Sequence, residues 1–288
     1  MEILRTRDEL RVAIRALNGK TIGLVPTMGF LHEGHLSLMQ RARRENDVLI
    51  TTIFVNPTQF GPNEDLDRYP RDPEGDAARC QSVGVDYLWM PSSPDEVYPT
   101  GYATTVQVRG LTDGLCGASR PGHFDGVSSV VCKLLNATRA DRAYFGEKDF
   151  QQLAVIRRMV IDLDLNVEII NVPTVRDDDG LALSSRNKYL TADDRQAGLR
   201  LSEALERARD AWNQGERSGE RLERILRDTI AQTPSNRIDY AEVVDALTLR
   251  PLRDEPSETP VAVLAVFVGT TRLIDNARLD RTTPLRAL

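Results

Sequence analysis

Residues 21–55 read TIGLVPTMGFLHEGHLSLMQRARRENDVLITTIFV, and their pattern decides the fold class. Residues 21–25 form a short apolar run, and 47–55 form a β-branched, nearly continuous one. Such runs, without strict polar alternation, suit parallel strands covered on both faces. Between them Leu36, Met39 and Ala42 recur at helical spacing. Strand, helix, strand at this separation is a βαβ unit.

The same alternation continues outward. Upstream, Thr6-Arg7-Asp8-Glu9 has the form of a capping box opening a helix that ends near Asn18-Gly19. Downstream, a helix pattern over 76–83 precedes a strand-like 86–90, and 126–137 reads as a helix with Val127, Val130, Val131, Leu134 and Leu135 inward. Residues 142–145 read as a short strand, 150–163 as a helix and 166–172 as a strand. This predicts a Rossmann-like, doubly wound α/β parallel sheet over 1–174. After about Val175 the texture changes. Two charged amphipathic helix patterns, 193–213 and 219–232, are followed by strand patterns at 237–244, 261–268 and 271–274, which predicts a second, smaller α+β domain over 175–288.

Composition narrows the function. With 37 basic and 43 acidic residues among 288, the formal charge is −6, which opposes a large nucleic-acid surface but leaves room for a small basic pocket. No apolar run approaches the ~20 residues of a membrane span, and the N-terminus mixes charges with apolar residues from its start. Cys80, Cys116 and Cys132 are odd in number and widely spaced, as reduced thiols of a cytoplasmic protein would be.

Five segments carry chemistry. The first, PTMGFLHEGHL (26–36), joins a strand to a helix at the sheet's carboxyl edge, where ligands bind in this fold. The helix N-terminus offers free N–H groups to an anion, and Gly29 and Gly34 allow close backbone approach. His32 and His35 share a helical face and can donate to phosphoryl oxygens; the HExxH spacing of a zinc site is missing. The second, VNPTQFG (55–61), follows another strand, and Gln59 can both donate to and accept from a hydroxy acid. The third, GASRPGHF (117–124), has the glycine frame of a P-loop but His and Phe where Lys and Ser or Thr are required. The fourth, GEKDFQQ (146–152), is a strand-to-helix turn in which Lys148 can neutralise phosphate and Asp149 can take a hydroxyl or cap the helix. The fifth, Val175-Arg176 with LSSRN (183–187), offers two hydroxyls and a guanidinium to a polyphosphate.

Taken together, PTMGFLHEGH, FVNPTQFGPNEDLDRYPR, SRPGHFDGV, YFGEKDFQQL and GLALSSRN, in that order, resemble the pantoate–β-alanine ligases, a family of the HIGH-motif nucleotidyltransferase superfamily. HEGH and LSSR look like that family's versions of the HIGH and KMSKS signatures. The resemblance implies ATP-dependent condensation of pantoate with β-alanine through a pantoyl adenylate, releasing AMP and pyrophosphate. It implies an ATP site of Met28, Gly29, His32, His35, Gly146, Glu147, Lys148, Asp149, Val175, Leu183, Ser184, Ser185 and Arg186. His35, His32, Lys148 and Arg186 would act on the reacting phosphates. Gln59 and Gln152, with Asn56, would bind pantoate and β-alanine, and Arg120 and His123 would support them. Mg²⁺ would travel with ATP, Asp76 being a weak candidate ligand. A homodimer is implied, with neither nucleic acid nor membrane as partner. The alternative is another HIGH-motif nucleotidyltransferase acting on a different small acid or phosphorylated metabolite, which would not need the two glutamines.

Overall fold

In the computed structural model residues 1–62, 64–252 and 257–280 are described. The chain divides into two compact units. The first comprises Met1–Asp113, Arg120–Glu147 and Val155–Val172; the second comprises Gly114–Ser119, Lys148–Ala154 and the chain from Pro173 onward.

The first unit is built on six parallel strands: β1 (Glu2–Leu4), β2 (Ile22–Thr27), β3 (Val48–Ile53), β4 (Tyr87–Trp89), β5 (Arg142–Gly146) and β6 (Glu168–Val172). Their order is β1-β4-β3-β2-β5-β6. Between them run α1 (Arg7–Ala16), α2 (Glu33–Glu45), α3 (Pro73–Ser82), the single turn α4 (Cys116–Ser119), α5 (His123–Thr138) and α6 (Phe150–Asp162), of which α4 and the first turn of α6 count with the second unit. The capping box expected at Thr6 is formed, Glu9 reaching back to the Thr6 amide. The strand expected over 21–25 runs from Ile22 to Thr27, but it is not the first. Glu2–Leu4 precede it and pair with β4 at the sheet edge. Three residues, of which only Leu4 is buried, are too few to show a hydrophobic period.

The order places β2 beside β5, and the winding reverses between them. Chain leaving the carboxyl ends of two such strands borders the crevice where open α/β sheets bind ligands. The two turns that begin there are residues 28–32 after β2 and the 3-10 turn Glu147–Asp149 after β5. Apolar residues of α2, β2, β3 and β4 hold the first turn from below: Leu31 and Leu36 belong to one buried cluster with Val25, Met39, Leu49 and Leu88.

The second unit has an antiparallel sheet, β7 (Asn236–Asp245), β8 (Pro260–Val268) and β9 (Thr271–Arg278), covered by α7 (Ala192–Asn213) and α8 (Gly219–Ala231). β9 extends four residues beyond the expected 271–274. Leu201, Leu205, Leu222, Leu226, Leu264 and Val266 form the centre of its core.

One contact in the first unit ties fold to site. A Cβ on Gly126 would lie 2.4 Å from the Thr58 carbonyl oxygen and 2.7 Å from Gln59 Cα, so α5 presses directly on the 3-10 turn Pro57–Gln59. Both obstacles are backbone, so neither can swing aside. Gly126→Ala is expected to cost about 1–3 kcal/mol through overpacking. Calorimetry would register this as a melting temperature lower by a few degrees. An unchanged melting temperature would show that the contact yields.

Candidate active site

The turn after β2 is held open by a buried acid. Gly29 (φ 83°) and Phe30 (φ 50°) are both left-handed, a conformation that costs an aromatic residue about 1–2 kcal/mol. Asp76, on α3, offsets this cost. Its Oδ2 accepts the Phe30 N–H at 2.8 Å and its Oδ1 accepts the Leu31 N–H at 2.7 Å. A side chain at position 29 would come within 2.9 Å of Asp76 Oδ2, so the close approach requires glycine. Burial pushes the Asp76 carboxyl above its ordinary range, against the pull of the two amides. The Gly29 amide is donated to Thr27 Oγ1.

This turn delivers His32 as the N-cap of α2. The two imidazoles lie with ring centroids 4.1 Å apart, both half-buried. His35 Nδ1 accepts the His32 amide proton at 3.2 Å, taking the place a glutamate fills in a capping box. In the neutral ring the proton therefore sits on Nε2, making that atom a hydrogen-bond donor. A donor imidazole at a helix N-terminus is an arrangement suited to phosphoryl oxygen.

Gln59 is positioned by a second network. Its Oε1 accepts from Asn56 Nδ2 at 3.0 Å, and its Nε2 lies 3.2 Å from Met28 Sδ. Its backbone carbonyl accepts from His123 Nδ1 at 2.9 Å and from the Arg120 guanidinium at 3.4 Å. Arg120 also donates to His123 Nε2, and since a guanidinium can only donate, the His123 proton is on Nδ1. Glu64 closes the network through a two-pronged pair with Arg120, at 2.7 and 2.5 Å. Burial raises the Glu64 carboxyl, but the Arg120 hydrogen bond and charge outweigh it, and the group lies below its usual range.

In the second unit, Gln151 bonds its amide to the chain at 114–116, accepting from the Cys116 N–H and donating to the Gly114 carbonyl, each at 2.9 Å. Gln152 makes no side-chain hydrogen bond with any described residue. The Lys148 carbonyl accepts from Asn276. Val175 and Leu183 face each other across a short hairpin, the Leu183 N–H bonding the Val175 carbonyl at 3.0 Å. Ser184 caps the 3-10 turn Ser185–Tyr189, bonding the Arg186 amide.

Residues 2–278 match the family described as Pantoate-beta-alanine ligase. The chain belongs to that family. It is 55% identical over 282 residues to a pantothenate synthetase of Moorella thermoacetica, covering 97% of this chain and 99% of the relative. A pantothenate synthetase structure from Thermus thermophilus superposes with a TM-score of 0.92 at 48% identity, covering 98% of this chain and all of the other. A pantoate–β-alanine ligase of Francisella tularensis, described as complexed with βγ-ATP and β-alanine, gives a TM-score of 0.80 at 36% identity over 99% of each chain. Membership makes the chain an ATP-using ligase that condenses pantoate with β-alanine.

Within the ligase, three residues singled out from the sequence also have partners in the protein itself. Asp76, considered above as a weak candidate for Mg²⁺, has each oxygen engaged by an amide and holds the turn. No cluster of three metal-ligating side chains occurs among the described residues. Asn56, grouped with the substrate ligands, is committed throughout: Nδ2 donates to Gln59 and to the Gly126 carbonyl, while Oδ1 accepts from Thr58 and Tyr98. It orients Gln59. Glu147, placed in the nucleotide site, accepts from Asn171 on β6 through one carboxylate oxygen. Glu64, Tyr98 and Gln151 escaped the sequence reading because each acts through a partner 35 or more residues away.

The Glu64–Arg120 pair has a pH signature. A carboxylate whose folded pKa lies below its unfolded value stabilises the fold above the unfolded pKa, and that share is lost as pH falls through the folded one. Glu64→Gln should therefore melt below wild type at neutral pH. The gap should narrow as pH drops below about 4.3, the unperturbed value for glutamate. A gap that stays constant down to pH 3 would show that the pair adds no charge-dependent stability.

Proposed function

We propose that the condensation runs through a pantoyl adenylate. A carboxylate resists attack by an amine until one oxygen becomes part of a good leaving group. A pantoate carboxylate oxygen attacks the α-phosphorus of ATP, and the bond from that phosphorus to the bridging oxygen breaks, releasing pyrophosphate. The β-alanine amine then attacks the acyl carbon; the C–O bond breaks, AMP leaves with the former carboxylate oxygen, and the nitrogen loses a proton. In-line transfer of this kind depends on positioning and charge neutralisation rather than on a protein nucleophile.

The observation that carries this reading is the His32–His35 pair at the start of α2, with its turn fixed by Asp76. Met28 through His35 hold ATP, the two imidazoles donating to charge that builds on the phosphates. Gly146 through Asp149 take the nucleotide, Lys148 on phosphate and Asp149 on ribose, and the Val175 amide meets adenine. Leu183 through Arg186, from the C-terminal α+β unit, clamp the β- and γ-phosphates. Gln59 and Gln152 bind pantoate, and β-alanine enters beside Gln59; Asn56, Arg120 and His123 position Gln59. The Francisella ligase, complexed with βγ-ATP and β-alanine, supports this pairing of substrates. Mg²⁺ comes in as part of the MgATP substrate, bound mainly by phosphate oxygens.

The chain works as a homodimer. This reading is supported by the family resemblance of the sequence. The enzyme operates in the cytoplasm, a reading supported by its three free thiols.

Pantoate-dependent ATP–pyrophosphate exchange, run with Mg²⁺ and without β-alanine, tests the first half-reaction. Wild type should exchange, and His35→Ala and Lys148→Ala should each lose about 10²–10³ in rate while melting normally. Rates within a few-fold of wild type in either variant would remove the role assigned to that residue.

A further inference from the structure

Strand β9 carries Asp275 and Asn276 in the run Thr-Arg-Leu-Ile-Asp-Asn-Ala-Arg. Both are buried, at 4% and 8% exposure, although neighbours in a strand point to opposite faces. Two adjacent buried polar side chains are costly unless each finds partners. Their partners lie in two different segments, and both segments carry proposed nucleotide ligands.

Asp275 forms a two-pronged pair with Arg176, Oδ2 to one guanidinium nitrogen at 2.6 Å and Oδ1 to the other at 2.8 Å. Both side chains are almost fully buried. Burial works against the Arg176 charge, and Asp275 more than restores it. Arg176 also donates to the Gly180 carbonyl, so the pair clamps the hairpin that begins at Val175 and returns at Leu183. The tip of that hairpin is tied to α7 by Arg195, which bonds Asp177 and Asp179. Asn276 Nδ2 donates to the Lys148 carbonyl at 2.8 Å. The same strand packs against the 3-10 turn Ser185–Tyr189, which carries Arg186.

We propose that Asp275 and Asn276 are positioning residues that set the Lys148 turn and the 175–186 hairpin in register on one strand. The phosphate and adenine ligands of the second unit then reach ATP as one rigid group. Neither residue touches the nucleotide; each acts through backbone or guanidinium. The proposal rests on the reading of Lys148, Val175 and Arg186 as nucleotide ligands.

Asp275→Ala strands the buried Arg176 charge and endangers the fold, so the test rests on Asn276→Ala, with the equal-volume Asn276→Asp as its companion. Leu273→Ala, which empties a core position of the same strand, is the control for general weakening of β9. ATP affinity is read by calorimetry, and the KM values for ATP and pantoate by pyrophosphate exchange, well below every melting temperature. Asn276→Ala and Asn276→Asp should weaken ATP binding about tenfold or more, as expected for misplaced ligands. The pantoate KM should stay within about twofold of wild type. Leu273→Ala should lower the melting temperature and leave ATP affinity unchanged. Wild-type ATP affinity in the Asn276 variants, or an equal loss in Leu273→Ala, would overturn the anchor. If wild type binds ATP but shows no pantoate-dependent exchange, the adenylation reading falls, and the calorimetric comparison still decides the anchor.

Discussion

The hydrogen bonds from the Phe30 and Leu31 amides to the buried Asp76 carboxylate are the constraint on which the rest of the site depends. Without them nothing would favour two consecutive left-handed residues, one of them aromatic, over an ordinary extended exit from β2. With them the chain turns sharply, His32 becomes the N-cap of α2, and His35 comes round to accept the His32 amide. The helix begins where its free amides and the imidazoles can meet the same anion. A fold-level rule puts ligands at this edge of the sheet; Asp76 turns the rule into a particular geometry.

A division of labour recurs through the site. Residues whose polar groups are spent on the protein stand beside residues left able to bind. Asn56 is saturated by Gln59, Gly126, Thr58 and Tyr98, and it orients the Gln59 amide. Gln151 bonds its amide to the chain at 114–116, and its neighbour Gln152 is the residue proposed for substrate. Arg120 is held by Glu64 and passes its remaining hydrogen bonds to His123 and the Gln59 carbonyl. Such supports fix the acceptors and donors before substrate arrives, which lowers the reorganisation a transition state demands.

Much of this was legible in the sequence. The apolar runs at 21–25 and 47–55 announced β2 and β3, since continuous β-branched stretches are hard to bury any other way. The helices α1, α2, α5 and α6 followed from periodicity and caps. The two histidines of α2, Gln59 and Lys148 stood out because each lies near a strand end or a glycine, and Ser184–Arg186 because they group two hydroxyls with a guanidinium. The supports did not stand out. Asp76 looks like any acid in the first turn of a helix, and its partners lie 45 and 46 residues back. Asp275 and Asn276 lie just past the strand pattern 271–274 and carry no local mark; burial and partners 99 and 128 residues away give them their place. Local pattern reports local structure; a side chain's long-range partner is set by how the strands are ordered.

The claim that this site activates a carboxylate at the α-phosphorus is tested most directly by oxygen transfer. Pantoate carrying ¹⁸O in its carboxylate is converted with ATP, Mg²⁺ and β-alanine, and the nucleotide and phosphate products are weighed by mass spectrometry. The adenylate route predicts one ¹⁸O in the AMP, none in pyrophosphate and one retained in the new amide. Label appearing in inorganic phosphate, with ADP as the nucleotide product, would mean an acyl phosphate and would contradict the account.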